Sequence, residues 1–138
     1  MSEKKFPQWM SWVLKAAAFY NIIWGAWCVL IPQLFFEVVG LEPINNPMIW
    51  QGMGRVIGVY GVGYFIASYD PIKHWAIVVV GLLGKLFGPI GFIFNYLTDQ
   101  VGINFGYTLI TNDLIWWVPF FLILKLAYED NKFNKQHI

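Results

Sequence analysis

Arg55, Lys85 and Asp113 each interrupt a long apolar run, and Asn21 interrupts a fourth. Such side chains are costly in hydrocarbon, face a protein interior, and by default mark functional sites. Counting about 1.5 Å of helical rise per residue sets Arg55 and Asp113 roughly 10 Å below one end of their runs, and Asn21 and Lys85 about 13 to 18 Å down. The four overlap in depth. Gln51 lies one turn above Arg55, and Thr108, Thr111 and Asn112 extend the polar layer beside Asp113. The expected ligand-binding layer is therefore Asn21, Gln51, Arg55, Lys85, Asn112 and Asp113, in the outer half of an apolar bundle.

Arg55 and Asp113 form the natural ion pair, which leaves Lys85 neutral or awaiting an anionic partner. Glu37 can supply that charge if its loop folds inward. Pro89 has no N–H to offer the carbonyl of Lys85, so that oxygen needs another donor, and Pro119 does the same to Ile115. Two cations against one acid point to the polar head of an anionic or quinone-like amphiphile, or a lipid. Trp24, Trp116 and Trp117 either fill the core or wall the apolar part of the pocket. A second chemistry is a small metal-independent enzyme, with Asp113 as acid or base and Lys85 or Arg55 stabilising developing negative charge. A third reading makes the layer purely structural, in an accessory subunit of a membrane redox complex.

Other chemistries lack their residues. Cys28 is the single cysteine, so an internal disulfide, a CxxC pair and a thiolate zinc site are excluded, and it reads as a small buried filler. Of the two histidines, His74 sits at the inner end of a run and His137 in the tail, which argues against bis-histidine haem. No two carboxylates share the runs, as glycosidase-like or di-metal chemistry requires. No metal or cofactor is expected. A channel would need polar rings along its whole path, whereas this layer is confined to one depth.

The elements that must position these residues are helices in a membrane. Of 138 residues, 58% are hydrophobic and 12% charged, too little polar surface to cover a soluble sphere. The net charge of +1 offers no basic stripe to nucleic acid. Four segments, residues 8–30, 49–68, 74–97 and 107–127, meet the requirement of about 20 apolar residues per span. The chain reads as one all-α transmembrane domain, a four-helix bundle with residues 128–138 as a short polar cytoplasmic tail. Lys4, Lys5, Lys73, Lys125, Lys132 and Lys135 fall on one side, and Glu37, Glu42 and Asp99 on the other, so both termini are expected in the cytoplasm. Trp9, Trp12, Tyr69 and Trp75 then mark the inner interface, and Trp27 and Trp50 the outer one.

Residues 34–41 read as a short interfacial helix or as a loop folded over the bundle mouth. Gly54, Gly58 and Gly61 on the second span, and Gly81, Gly84, Gly88 and Gly91 on the third, predict that these two helices pack on their glycine faces. Ala17, Ala18, Gly25, Cys28 and Asn21 form an inward stripe on the first. Lipid-facing surface leaves a homodimer or a membrane-protein partner compatible with the sequence.

The strings NIIWGAW, GRVIGVYGVGYFIASYDPIKHW, GLLGKLFGPIGF and TNDLIWWVPF run from about Tyr20 to Phe121. They resemble an uncharacterised family of small bacterial four-span membrane proteins, some of which carry the label alkyl hydroperoxide reductase, and which are distantly DoxX-like. The resemblance implies a bundle in the bacterial inner membrane, and the DoxX likeness implies a role beside a redox or quinone-linked enzyme. The peroxidase label conflicts with the residues, because thiol-based peroxide reduction uses an activated thiolate and usually a resolving thiol, and Cys28 is alone.

Overall fold

The computed structural model describes residues 6–136, and Lys4, Lys5 and His137 lie outside them. Its elements are α1 (Gln8–Leu30), α2 (Leu34–Val39), α3 (Pro47–Ala67), α4 (Trp75–Leu97), α5 (Ile103–Leu109), a π-helical turn (Ile110–Leu114) and α6 (Ile115–Gln136). Among the described residues there is no strand. Three helical stretches are long and apolar enough to cross a membrane: Gln8–Leu30, Trp75–Leu97 and Ile103–Phe133. The fourth long helix, α3, has 21 residues. It is less apolar because it carries Gln51, Arg55 and the glycines 52, 54, 58, 61 and 63. The last helical stretch, from α5 through the π-helical turn to α6, begins earlier and ends later than the expected span of residues 107–127. Residues 128–136, expected as a tail, continue α6.

Neighbouring long helices run antiparallel. One end of the molecule holds the Ser68–His74 turn, and the other holds α2 and the start of α5. Near the turn end lies a dry core of Met10, Leu14, Ala17, Ala18, Tyr64, Ala67, Val78, Trp116, Phe120 and Ile123. At the α2 end, Phe35 is buried among Trp24, Phe36, Trp50 and Phe105 at ring separations of 5.0 to 5.9 Å. The segment is a short helix whose buried Phe35 covers this end of the long helices. Gly40 ends it at φ +72°, where the Leu41 N–H donates to the Phe36 carbonyl at 2.8 Å. Gln33 fixes the following loop by hydrogen bonds to both backbone groups of Ile44. Glu37 faces outward from this cap, away from the expected contact with Lys85.

The glycine faces pair differently from the expectation. The most extensive helix contact is α1 with α3, while α3 and α4 touch little despite their short connection. A Cβ at Gly25 would fall 2.5 Å from the Gly54 carbonyl oxygen, and one at Gly61 2.8 Å from the Ala18 carbonyl oxygen. The α3 glycines thus serve the α1 seam, where backbones meet directly. Cys28 is buried in that seam, against Gly54. On α4, Gly81 receives the Tyr64 ring, Gly88 receives the Asp113 carboxylate, and Gly84 faces open space. The physical reason is that Gly54, Gly58 and Gly61 share one face of α3, and α1, with Ala18, Gly25 and Cys28, presents the smaller surface to it, whereas Gly63 is turned toward Ile77 of α4.

Candidate functional site

Between the dry core and the aromatic cap, α1, α3, α4 and the π-helical turn border a half-open pocket of about 190 Å³. Its walls are Asn21 from α1, Val56, Ile57, Tyr60 and Tyr64 from α3, Gly81, Gly84 and Lys85 from α4, and Asn112 and Asp113 from the π-helical turn. The side chain at its centre is Lys85, only 5% exposed, with Asp113 at 4%. The Lys85 Nζ donates to the Asn112 carbonyl at 2.7 Å, and the Asn112 Nδ2 donates to Asp113 Oδ2 at 3.2 Å. Asn112 therefore bridges the cation and the acid. The ammonium also lies over two aromatic faces, 5.7 Å from the Trp116 ring centroid and 5.9 Å from that of Tyr64.

Backbone irregularities on both flanking helices shape this arrangement. Pro89 removes the donor that the Lys85 carbonyl would have had, and the Trp117 Nε1 donates to that oxygen instead, at 3.0 Å. The kink is thus tied across to α6. On the other side, the wider π-helical turn carries Asp113 inward, and the Trp116 Nε1 donates to the Thr111 carbonyl at 2.9 Å. Such bulges recur at functional sites because an extra residue in the turn re-aims the side chains around it. Thr111 also accepts from the Tyr20 hydroxyl at 3.1 Å, which joins α1 to the same turn.

Three buried polar atoms lack partners among the described residues: Asn21 Oδ1, Trp27 Nε1 and Trp50 Nε1. Asn21 is the one that lines the Lys85 pocket, and it is 5% exposed. Its amide orientation follows from its neighbour. The Nδ2 donates to the Ile57 carbonyl at 3.4 Å, and a flipped amide would set two acceptors against each other. Trp27 borders a second, nearly apolar groove of about 570 Å³ between α1 and the α5–α6 stretch, lined also by Tyr20, Trp24 and Trp116.

Of the residues expected in the polar layer, Asn21, Lys85, Asn112 and Asp113 come together in the pocket. Arg55 and Gln51 do not. Arg55 is exposed on α3 and outside the pocket wall, and Lys85 is the cation that shares the pocket lining with Asp113. Gln51 donates its Nε2 to the Val29 carbonyl at 3.0 Å and helps hold α1 to α3. Tyr60 and Tyr64 were missed, although with Ile57 they mark one face of α3 at helical spacing. Trp116 is a core residue that also lines the second, apolar groove, whereas Trp117 serves the Lys85 carbonyl. Among the described residues, no group of three His, Cys, Asp or Glu side chains is placed to hold a metal. No protein-family model, curated protein or solved structure matches the chain.

Proposed function

We propose that this chain is a four-span membrane protein that holds the polar head of an amphiphile in the Lys85–Asp113 pocket, with the apolar tail leaving between α3 and α4. The observation that carries the reading is the unfilled pocket itself. A buried cation, a buried acid and an unpartnered amide oxygen line a space that nothing in the described chain occupies. A purely structural polar layer has no reason to keep that space, because membrane helices gain stability from close packing. Val56 and Gly84 at the loosely packed α3–α4 gap give a hydrocarbon tail a sideways exit to lipid. The four-span topology rests on the length of α3, about 31 Å at 1.5 Å per residue. Lys73, Lys125 and Lys132 near the turn end, against Glu37, Glu42 and Asp99 near the α2 end, support a cytoplasmic turn end in the bacterial inner membrane.

Exposure of Arg55 changes the expected ligand, because the pocket now contains one cation and one acid and has no net call for an anion. The test is native mass spectrometry of protein released from nanodiscs, with extraction of co-purified small molecules. A defined ligand that is retained by the wild type and lost in Lys85→Met and Gly84→Leu is expected. Retention of bulk phospholipid alone by all three would overturn the reading.

The π-helical turn favours one second reading. It aims Asp113 at the pocket, where the acid can exchange a proton with a bound head and Lys85 can stabilise the resulting oxyanion. Turnover of a captured ligand should then vanish in Asp113→Asn while the ligand is still held. Turnover that survives this change would remove Asp113 as acid or base.

A further inference from the structure

We infer that the head held in this pocket is an uncharged hydroxylated aromatic ring, the head of an alkylated phenol or hydroquinone. The inference rests on the amphiphile-binding reading above and adds the chemistry of the head. Three observations converge on it. The first is charge. Lys85 and Asp113 sum to zero wherever the proton between them resides, and Arg55 and Glu37 face away. An anionic head would leave an uncompensated charge in a low-dielectric layer, the arrangement membranes tolerate least.

The second observation is the hydrogen-bonding inventory. The pocket offers an ammonium, which only donates, and the Asn21 Oδ1, a buried acceptor with no partner. A hydroxyl is the simplest group that answers both, accepting from Lys85 and donating to Asn21. An ether or a ketone would leave the Asn21 oxygen unpaired. The third is shape. The space of about 190 Å³ is lined by Tyr60 and Tyr64 of α3 and by α4 at Gly84, where the backbone is bare, while Tyr64 itself covers Gly81. A cavity of about 150 Å³ takes one benzene ring. The slot therefore has the size of one substituted ring, with an aromatic wall for its face and glycine backbone opposite.

The experiment uses the full chain in phosphatidylcholine nanodiscs and measures retention of four decyl probes, each corrected for partition into empty discs. The probes are 4-decylphenol, 4-decylanisole, 1-O-decylglycerol and decyl phosphate. The phenol should be retained on the order of tenfold better than the anisole, the effect of one hydrogen bond to an otherwise unpaired buried acceptor. Asn21→Leu should abolish that difference, and a melting curve reports whether the variant is folded. If it is not, the wild-type comparison of phenol with anisole still decides. Equal retention of phenol and anisole would overturn the hydroxyl, better retention of the glycerol ether would overturn the ring, and preference for decyl phosphate would overturn the neutral head. Those three results leave the pocket itself standing as a binding site. Retention of no probe above the empty discs would overturn the head assignment, and wild-type protein that also carries no extractable ligand would remove the binding reading beneath it.

Discussion

Helix α3 has two neighbours, and it meets them in opposite ways. Against α1 it presents Gly54 and Gly61, where a Cβ would strike α1, and Gly58, whose backbone nitrogen would lie 2.9 Å from a Cβ at Gly25. Against α4 it presents Val56, Ile57, Tyr60 and Tyr64; the Tyr64 ring packs onto Gly81, and the pocket opens beside it, where Gly84 meets nothing. Glycine is abundant on both sides. Across the first seam it faces other small residues, so the gap closes. Across the second it faces aromatic rings and a lysine, so the gap is propped open. A stripe of small residues therefore predicts closeness only when the opposing stripe is known as well.

The comparison is broken most severely by filling the closed seam. Gly54→Leu drives a side chain into Cys28 and the Gly25 carbonyl, and backbone cannot rotate aside as a side chain can. Overpacking costs about 1 to 3 kcal/mol in ordinary cores, and the upper end of that range is expected here. Thermal unfolding in detergent, followed by circular dichroism, checks it. A variant as stable as the wild type would mean that the α1–α3 seam is looser than its geometry.

A smaller loss is expected where α4 is tied to α6. In Trp117→Phe the Lys85 carbonyl loses the indole donor that replaces the missing N–H of Pro89. The cost should be about 1 kcal/mol, since interhelical hydrogen bonds in membranes average about 0.6 and reach about 1.7 kcal/mol. The same unfolding assay should return a modest drop with ligand retention weakened, because Lys85 shares this kink. An unchanged melting curve would mean that water or lipid meets the carbonyl equally well.

Filling the open gap should have the reverse signature. A Cβ at Gly84 meets nothing within 4 Å, so the first side-chain atom of Gly84→Leu enters open space at the pocket wall. Replacing glycine within a helix stabilises it by up to about 1 kcal/mol, so the melting temperature should hold or rise while bound ligand is lost. Gly88→Ala sharpens the contrast four residues on. There a Cβ would stand 2.8 Å from Asp113 Oδ2, so even one methyl group must displace the acid. If Gly84→Leu kept its ligand, the binding site would lie elsewhere, and the apolar groove beside Trp27 would be the next place to look.

Much of this arrangement was legible before any coordinates. The polar residues interrupting apolar runs, the orphaned carbonyl beside Lys85 and the short helix after α1 follow from residue chemistry and spacing. Two things were not. The π-helical turn has no simple sequence mark. Thr111, Asn112 and Asp113 are residues whose side chains compete for backbone hydrogen bonds, but that property predicts loops and caps as readily as bulges. The partners of each glycine face were hidden for a different reason. Helix-to-helix choice depends on both surfaces, and adjacency in sequence favours α3 with α4, the pair that separates.

Arg55 is the sharpest case, and it supplies the smallest predicted effect. Counting residues gives depth in a membrane and says nothing of direction around the helix. At 100° per residue, Arg55 is turned about 100° from Val56, 140° from Tyr60 and 180° from Tyr64, so it points away from the face that lines the pocket. Its depth matches the site while its azimuth excludes it. Arg55→Gln should therefore change stability by less than about 0.5 kcal/mol, as substitutions away from packed or paired features do. It should leave ligand retention unchanged in the assay that Lys85→Met abolishes. The measurement discriminates because the sequence argument and the geometry disagree about this residue, the one charged member of the expected layer that lies outside the pocket wall. A loss of ligand in Arg55→Gln comparable to that in Lys85→Met would return the guanidinium to the site. It would also restore the case for an anionic head, since the pocket would then hold two cations against one acid.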